Sequence, residues 1–291
     1  MCSPDMPLTL MRQVTGWWEN GLSRWVKLVY LLLLANGVPA CIILLSLPHR
    51  TQDLFVWTIT PPASARLLGV MYANALVLVA FGVTQPDWPR TRVTVLLITC
   101  FSVAATIVTF FHLGPFLQHP WYHLAYWLTM YLALLIVAPV VFIWQERLHG
   151  GRLPVSEPLS PFSRAFGLAS AVVAGVVGVA LFVSPGAVSQ MWPWDLTPLV
   201  GRILAVWFSS VAIAFAWAVW DGDWPRTRAI FWQMIPTGLL LATVPLLHAE
   251  DRRAASDAQL LLYLLLAVGM VASGIGIILA ESRPRPRERL A

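Results

Sequence analysis

Residues 87–92 read Asp-Trp-Pro-Arg-Thr-Arg, and residues 223–228 read the same six letters again, 136 positions later in a chain of 291 residues. Identity at a fixed period indicates duplicated structural units. The sequence therefore predicts two copies of one unit, residues 1–150 and residues 151–291.

The match extends beyond the hexamer. The spacing of 136 also relates Arg66 to Arg202 and His112 to His248. For positions ahead of Arg66 the spacing is 137, which relates Trp57 to Trp194. The second copy therefore lacks one residue between Trp194 and Arg202, compared with the first copy between Trp57 and Arg66. The spacing assigns corresponding positions in most of the two copies.

The composition indicates that most of the chain lies in lipid. Apolar residues make up 58% of the chain and charged residues only 11%, against roughly 25% charged residues in soluble domains. Eight apolar runs approach the roughly 20 residues that a membrane-crossing helix needs. We place them at 26–47, 65–84, 93–113, 121–144, 165–184, 201–220, 227–247 and 258–280. The predicted fold is an all-α integral membrane protein with eight transmembrane helices.

Each copy contains four of these spans. An even number of spans returns the chain to its starting side, so both copies are predicted to have the same orientation. This is a parallel duplication, for which the pseudo-two-fold axis runs along the membrane normal and not in the membrane plane.

The distribution of basic residues predicts the orientation. With the N-terminus inside, fourteen of the 19 basic residues fall on inner segments and five on outer segments, as the positive-inside rule requires. We expect a cell-membrane protein with both termini cytoplasmic and a mobile basic tail at the C-terminus. The net charge of +5 is then a topology signal beside the lipid bilayer, and no nucleic-acid partner is predicted.

The hexamer itself is interpreted as structure. Asp87 caps the following helix, Pro89 suits its first turn, and Arg90 can reach Asp87. Trp88 is expected in the interfacial belt. A basic anchor for a phosphate or an acidic partner is the alternative.

Arg66 and Arg202 open predicted outer-side helices, where the helix dipole disfavours a cation. A lipid phosphate, a soluble anion, or a carboxylate such as Asp53 or Asp195 would relieve this cost. Arg66 and Arg202 are therefore candidate ligand-binding residues.

Trp57 and Trp194 belong to outer loops rich in aromatic residues and proline. They are also candidate ligand-binding residues, as parts of lids over an outward-opening pocket. The alternative is an aromatic belt along the outer interface.

His112 and His248 end corresponding spans, so a pseudo-two-fold axis could bring their imidazoles together to hold a metal ion or a haem. The alternative is a pair of ordinary interfacial histidines, because no Cys-x-x-Cys-His motif is present. No cofactor is predicted on any other ground.

Several absences disfavour a catalytic function. No Asp or Glu lies near the middle of any span, and no Walker motif, nucleophile elbow or paired carboxylates are present. Small residues in the fifth and eighth spans predict close helix packing, either within one copy or at a subunit interface.

The chain also resembles a known family. Residues 57–62 (Trp-Thr-Ile-Thr-Pro-Pro) precede residues 65–72, and residues 192–199 (Trp-Pro-Trp-Asp-Leu-Thr-Pro-Leu) precede residues 201–207. This pairing of outer segments resembles a family of uncharacterised bacterial multi-pass membrane proteins. The resemblance implies the duplicated four-helix fold and no activity, ligand or site residue.

Three hypotheses of function follow. The first is a non-catalytic membrane subunit or assembly factor, with membrane protein partners or a second copy of this chain. The second is binding or permeation of a small anionic or lipophilic ligand at the outer face. The third is a redox protein that holds haem or a metal.

Overall fold

The computed structural model describes residues 22–254 and 256–282. These residues are helical without strands, and eight of their helices are long and apolar enough to cross a membrane. The eight helices are α1 (Arg24–Ser46), α2 (Pro62–Val83), α3 (Trp88–Phe111), α4 (Trp121–His149), α5 (Pro161–Val183), α6 (Pro198–Asp221), α7 (Trp224–Leu247) and α8 (Asp257–Glu281). Each lies over one predicted span, and residues 283–291 of the predicted mobile tail lie outside the described residues.

Proline and capping residues begin most of these helices. A proline occupies the first turn of α2, α3, α5, α6 and α7, where its missing N–H costs no hydrogen bond. Asp87 accepts a hydrogen bond from the backbone N–H of Arg90 at 3.2 Å, which confirms the predicted cap of α3. Helix α7 is interrupted at Gln233, between Trp224–Trp232 and Met234–Leu247. Pro236 accounts for the interruption, because it cannot donate to the carbonyl of Trp232.

Short helical segments fill the loops at one end of the bundle. They are Pro48–Arg50, Thr51–Leu54, Leu113–Leu117, Pro185–Gln190 and Ala249–Asp251. We call this end the histidine end, because His112 and His248 lie there. The opposite end, at which the chain turns from α2 to α3 and from α6 to α7, is the hexamer end.

Each helix packs most extensively on its neighbour in sequence, as α1 with α2, α3 with α4, α5 with α6, and α7 with α8. Contacts between the two halves, residues 1–150 and 151–291, run from α3 to α6 and from α2 to α7. Gly178 shows how closely α5 and α6 approach, because a Cβ there would lie 2.6 Å from Oγ of Ser209. Helices α2, α3, α6 and α7 thus form the centre of the bundle, and the others surround them.

Candidate functional site

At the histidine end, an arginine from the first half pairs with a histidine from the second half. Arg66 lies in the first turns of α2, and its Nε donates a hydrogen bond to Nε2 of His248 at 2.9 Å. His248 directly follows α7, and only 2% of its surface is exposed. The bond therefore fixes the start of α2 to the end of α7.

In the corresponding pair the arginine belongs to the second half and the histidine to the first half. Nη1 of Arg202, from the first turns of α6, lies 2.7 Å from Nε2 of His112, which follows α3. Nε of Arg202 also donates to the carbonyl oxygen of Phe182 at 3.2 Å. Each predicted candidate arginine is thus brought together with the predicted candidate histidine of the other half.

Burial, followed by the nearby arginine, lowers the pKa of both histidines. Both imidazoles are therefore neutral. In each of them Nε2 accepts the hydrogen bond from arginine, and the proton lies on Nδ1. Arg66 and Arg202 place a positive charge at the starts of α2 and α6, where it is electrostatically unfavourable. Each neutral imidazole accepts a hydrogen bond from its arginine without adding a second positive charge, which reduces this cost.

A carboxylate also lies at the start of α2, although it is neither of those named from the sequence. Oδ2 of Asp251 accepts a hydrogen bond from the backbone N–H of Ala63 at 2.8 Å, a favourable position for an anion at a helix N-terminus. Asp53 instead lies 3.6 Å from Arg50, and Asp195 lies 3.8 Å from Arg253. The expectation that Asp53 or Asp195 compensates the arginines is therefore wrong.

Trp57 and Trp194 do not lie in an aromatic belt, because 2% and 0% of their surfaces are exposed. Their loops fold inward over the bundle end, where apolar burial stabilises large aromatic rings. Trp57 contacts Trp127 with ring centroids 5.2 Å apart, and Trp194 contacts Tyr263 at 5.4 Å. The two rings occupy the core, where neither can form the exposed lining of an open pocket.

The two tryptophans differ in hydrogen bonding. Nε1 of Trp194 donates to Oγ of Ser64 at 3.1 Å, which joins the second half to the first. Nε1 of Trp57 is buried without a partner among the described residues. At the spacing of 137 that applies ahead of Arg66, Gly201 replaces Ser64, so the second half offers no hydroxyl to Trp57.

His248 belongs to a group of residues with metal-ligand chemistry. Ligand atoms of His49, His248 and Glu250 lie within 4.8 Å of one another, and Nδ1 of His248 is 3.5 Å from Oε1 of Glu250. A metal ion at Nδ1 would require the proton on Nε2, where Arg66 already donates a hydrogen bond. A metal ion and Arg66 therefore compete for His248. His112 is not a member of this group, so the predicted pairing of His112 with His248 as metal ligands has no support in the geometry.

At the hexamer end, Arg92 connects the two halves through a buried charge cluster. Only 1% of Arg92 is exposed. Its guanidinium pairs with Asp221 of the second half and with Glu146, whose Oε1 is 3.0 Å from Nη1. The same guanidinium lies over the ring of Trp217, 5.2 Å from the ring centroid, a favourable cation–π position.

The second hexamer extends the cluster. Nε of Arg226 donates to Oδ1 of Asp221 at 2.6 Å, and its Nη1 lies 3.2 Å from Oδ2 of Asp223. The other oxygen of Asp223 accepts from the backbone N–H groups of Ser156 and Glu157 at 2.6 and 2.9 Å. Asp223 thus holds the loop that joins the two halves.

The structural interpretation of the hexamer is partly right. Arg90 lies 3.6 Å from Asp87, as expected. Trp88 is buried instead of interfacial, and its Nε1 donates to Oε2 of Glu146 at 2.9 Å. The sequence analysis missed Asp221 and Glu146, whose position at the ends of apolar spans beside a repeated arginine motif was the available signal.

A small cavity of about 50 Å³ lies at the centre of the bundle. Asn74 and Gln233 are among its polar lining residues. Asn74 accepts a hydrogen bond from Oγ1 of Thr237 at 3.1 Å, which joins α2 to α7. The cavity is too small for a drug-sized ligand.

Comparisons with protein-family models, with curated proteins and with solved structures found no match to this chain. The resemblance to the bacterial membrane protein family therefore stays a prediction.

Proposed function

We propose that the protein is a non-catalytic membrane subunit or assembly factor. In this proposal it consists of two parallel four-helix repeats, related by a pseudo-two-fold axis along the membrane normal. Both termini lie on the cytoplasmic side of the cell membrane.

Reciprocal contacts support the duplicated arrangement. Helix α2 contacts α7 as α3 contacts α6, and each helix of one pair corresponds to a helix of the other at the spacing of 136. The pairs Trp57 with Trp127 and Trp194 with Tyr263 also correspond.

The charge pairs support a structural role for the bundle. Arg92 is buried against Asp221, and Arg66 and Arg202 each bind a histidine of the other half. Among the described residues, the acidic side chains of the long helices lie near helix ends, away from the depth at which coupled transporters hold carboxylates.

The observation that carries the subunit proposal is an open face of small residues on α8. Gly269 and Ala272 are exposed, and no described atom lies within 4 Å of a Cβ placed at Gly269 or Gly276. Gly274, by contrast, packs on α7, where a Cβ would lie 3.0 Å from Ile235.

The corresponding helix α4 is bulky at two of these three positions, and Ala133 replaces Gly269 at the third. Ile136 and Val140 replace Ala272 and Gly276 at the spacing of 136, and both are exposed, as is typical of side chains that face lipid. Small residues on an exposed transmembrane face permit the close approach of another helix. We therefore assign this face of α8 to a partner helix.

A matched substitution pair tests the proposal. The protein is purified in mild detergent and its mass is measured by native mass spectrometry, for the wild type, Ala272→Leu and Ala169→Leu. Ala169 is an exposed alanine of α5, so both variants add the same side chain to the membrane face. We expect a partner chain or a second copy with the wild type and with Ala169→Leu, and its loss with Ala272→Leu. A wild-type monomer under all gentle conditions would contradict the proposal.

The two other hypotheses have their own tests. A ligand at the histidine end predicts anion-dependent thermal stabilisation that is lost when Arg66→Ala and Arg202→Ala are combined. A redox function predicts visible absorption by haem or metal in the purified protein. Bound partner chains would favour the subunit proposal over both.

A further inference from the structure

A pocket of about 160 Å³ lies at the hexamer end, beside the loop that joins the two halves. Its lining includes three arginines, one tryptophan, one aspartate and one glycine. These residues are Arg92, Arg152, Arg164, Trp220, Asp221 and Gly222. The lining carries three positive charges and one negative charge.

The single carboxylate is already engaged. Asp221 pairs with both Arg92 and Arg226, so it offers little compensation to the remaining arginines. Arg152 has no ion pair or hydrogen bond with any described residue, and Arg164 uses only Nε, which donates to the carbonyl oxygen of Leu159 at 3.3 Å. Two guanidinium groups of the pocket therefore keep free donors.

Gly222 makes room for one of these groups. Its φ of +68° ends α6 in the left-handed region, which glycine adopts without strain. A Cβ at this position would lie 2.9 Å from Nη2 of Arg164. Gly222 thus permits the left-handed turn and leaves space for the guanidinium of Arg164.

Three lining residues of the pocket are not repeated in the described part of the first half. At the spacing of 136, Thr84, Gln85 and Pro86 replace Trp220, Asp221 and Gly222. The linking loop that contributes Arg152 also occurs once. The side chains of Trp220 and Asp221 in this pocket therefore belong to the second copy alone.

We place the pocket at the depth of lipid headgroups from its position at the ends of two apolar helices. Arg164 is in the first turn of α5, whose neighbouring apolar residues Phe162 and Leu168 are exposed. Trp220, in the last turn of α6, is 51% exposed, as suits a tryptophan at a membrane interface. The pocket thus lies at the boundary between the apolar belt and water.

We propose that this pocket binds a phosphate group, supplied by the headgroup of an anionic phospholipid. Guanidinium groups match the geometry of phosphate oxygens and bind them by charge-assisted hydrogen bonds. Basic pockets between transmembrane helices are suited to anionic headgroups. A free phosphate has the same chemistry, and the experiment separates the two sources.

The test compares two double variants that remove equal charge from the same end of the bundle. In the first, Arg152→Gln is combined with Arg164→Gln. In the control, Arg90→Gln is combined with Arg147→Gln, because both of these arginines are exposed outside the pocket. The delipidated full chain is titrated in detergent with phosphatidylglycerol, with phosphatidylcholine, and with inorganic phosphate, and binding is measured by thermal shift and native mass spectrometry.

We expect phosphatidylglycerol to bind the wild type and the control, phosphatidylcholine to bind neither selectively, and the pocket variant to lose roughly tenfold or more in affinity. Gly222→Ala should weaken binding in the same direction by displacing Arg164. Pocket-dependent binding of inorganic phosphate without binding of phosphatidylglycerol would overturn the lipid as the source of the phosphate group. Equal losses in the two double variants, or no binding of either ligand by the wild type, would overturn the proposal.

Discussion

Arg66 and His248 are 182 positions apart in the sequence, and a hydrogen bond of 2.9 Å joins Nε of the arginine to Nε2 of the histidine. We expect Arg66→Ala and His248→Ala to show a coupling of about 1 kcal/mol or more in a double-mutant cycle of unfolding, because the donor is charged and the acceptor is buried. Thermal unfolding in detergent provides the measurement. Arg50, which is exposed and pairs with Asp53, is the control. A cycle of Arg50→Ala with His248→Ala should be additive, and equal coupling in the two cycles would contradict the specific bond.

The stability of the protein should decrease in mild acid, in part through His112. Burial and the adjacent Arg202 lower the pKa of His112 in the folded state, so the unfolded chain takes up a proton at a pH at which the folded chain does not. The stabilisation is complete above the ordinary pKa, about 6.5, and is lost as the pH falls through the folded pKa. We expect His112→Gln to reduce the change in Tm between pH 7.5 and pH 5. An unchanged pH dependence would show that His112 does not contribute.

Removal of the charge of Asp221 should destabilise the bundle strongly. Asp221→Asn leaves Arg92 and Arg226 buried with a weaker partner, and breaking a buried ion pair costs about 3–5 kcal/mol. The control is Asp87→Asn, because Asp87 forms an exposed pair with Arg90. An exposed pair contributes about 0–1 kcal/mol, and asparagine retains the helix cap because its side-chain oxygen accepts the same hydrogen bond. Urea unfolding followed by tryptophan fluorescence should separate the two variants.

Tryptophan replacement should affect the two halves unequally. Trp57→Phe and Trp194→Phe remove similar buried volume, but only Trp194 loses a hydrogen bond, to Ser64. We expect Trp194→Phe to be more destabilising by about 1 kcal/mol. In a Ser64→Ala background that difference should disappear, and its persistence would assign the effect to packing instead.

The proposed orientation predicts which loops a membrane-impermeant thiol reagent reaches from outside intact cells. Gly186 at the histidine end and Gly151 at the hexamer end are both exposed. In a background without native cysteines, Gly186→Cys should be labelled from outside and Gly151→Cys only after permeabilisation. The reverse pattern would invert the orientation inferred from the basic residues.

Much of the fold could be predicted from the sequence, because span length and apolar composition are local properties. Each of the eight predicted spans corresponds to a helix, and Asp87 and the first-turn prolines lie near helix starts as expected. The pairing of Arg66 with His248 could not be predicted, because a spacing relates corresponding residues and does not give the contacts between them.

The burial of Trp57 and Trp194 was missed for a related reason. Tryptophan near the end of a span is compatible with either a lipid interface or a folded-in loop, and only the packing partners decide between them. For Trp57 these partners include Trp127, and for Trp194 they include Tyr263. Arg92 was likewise interpreted as a topology signal because its partner Asp221 is 129 positions away.

The helix pairing also determines which contacts can form before synthesis of the chain is complete. Neighbouring helices such as α1 and α2 can associate soon after both have entered the membrane, whereas Arg92 meets Asp221 and Arg66 meets His248 only when α6 and α7 have been made. A nascent chain that stops after α4 would therefore carry Arg66 without His248 at one end of its bundle, and Arg92 with Glu146 but without Asp221 at the other. The polar contacts of the first half are thus completed only when the second half has been inserted beside it.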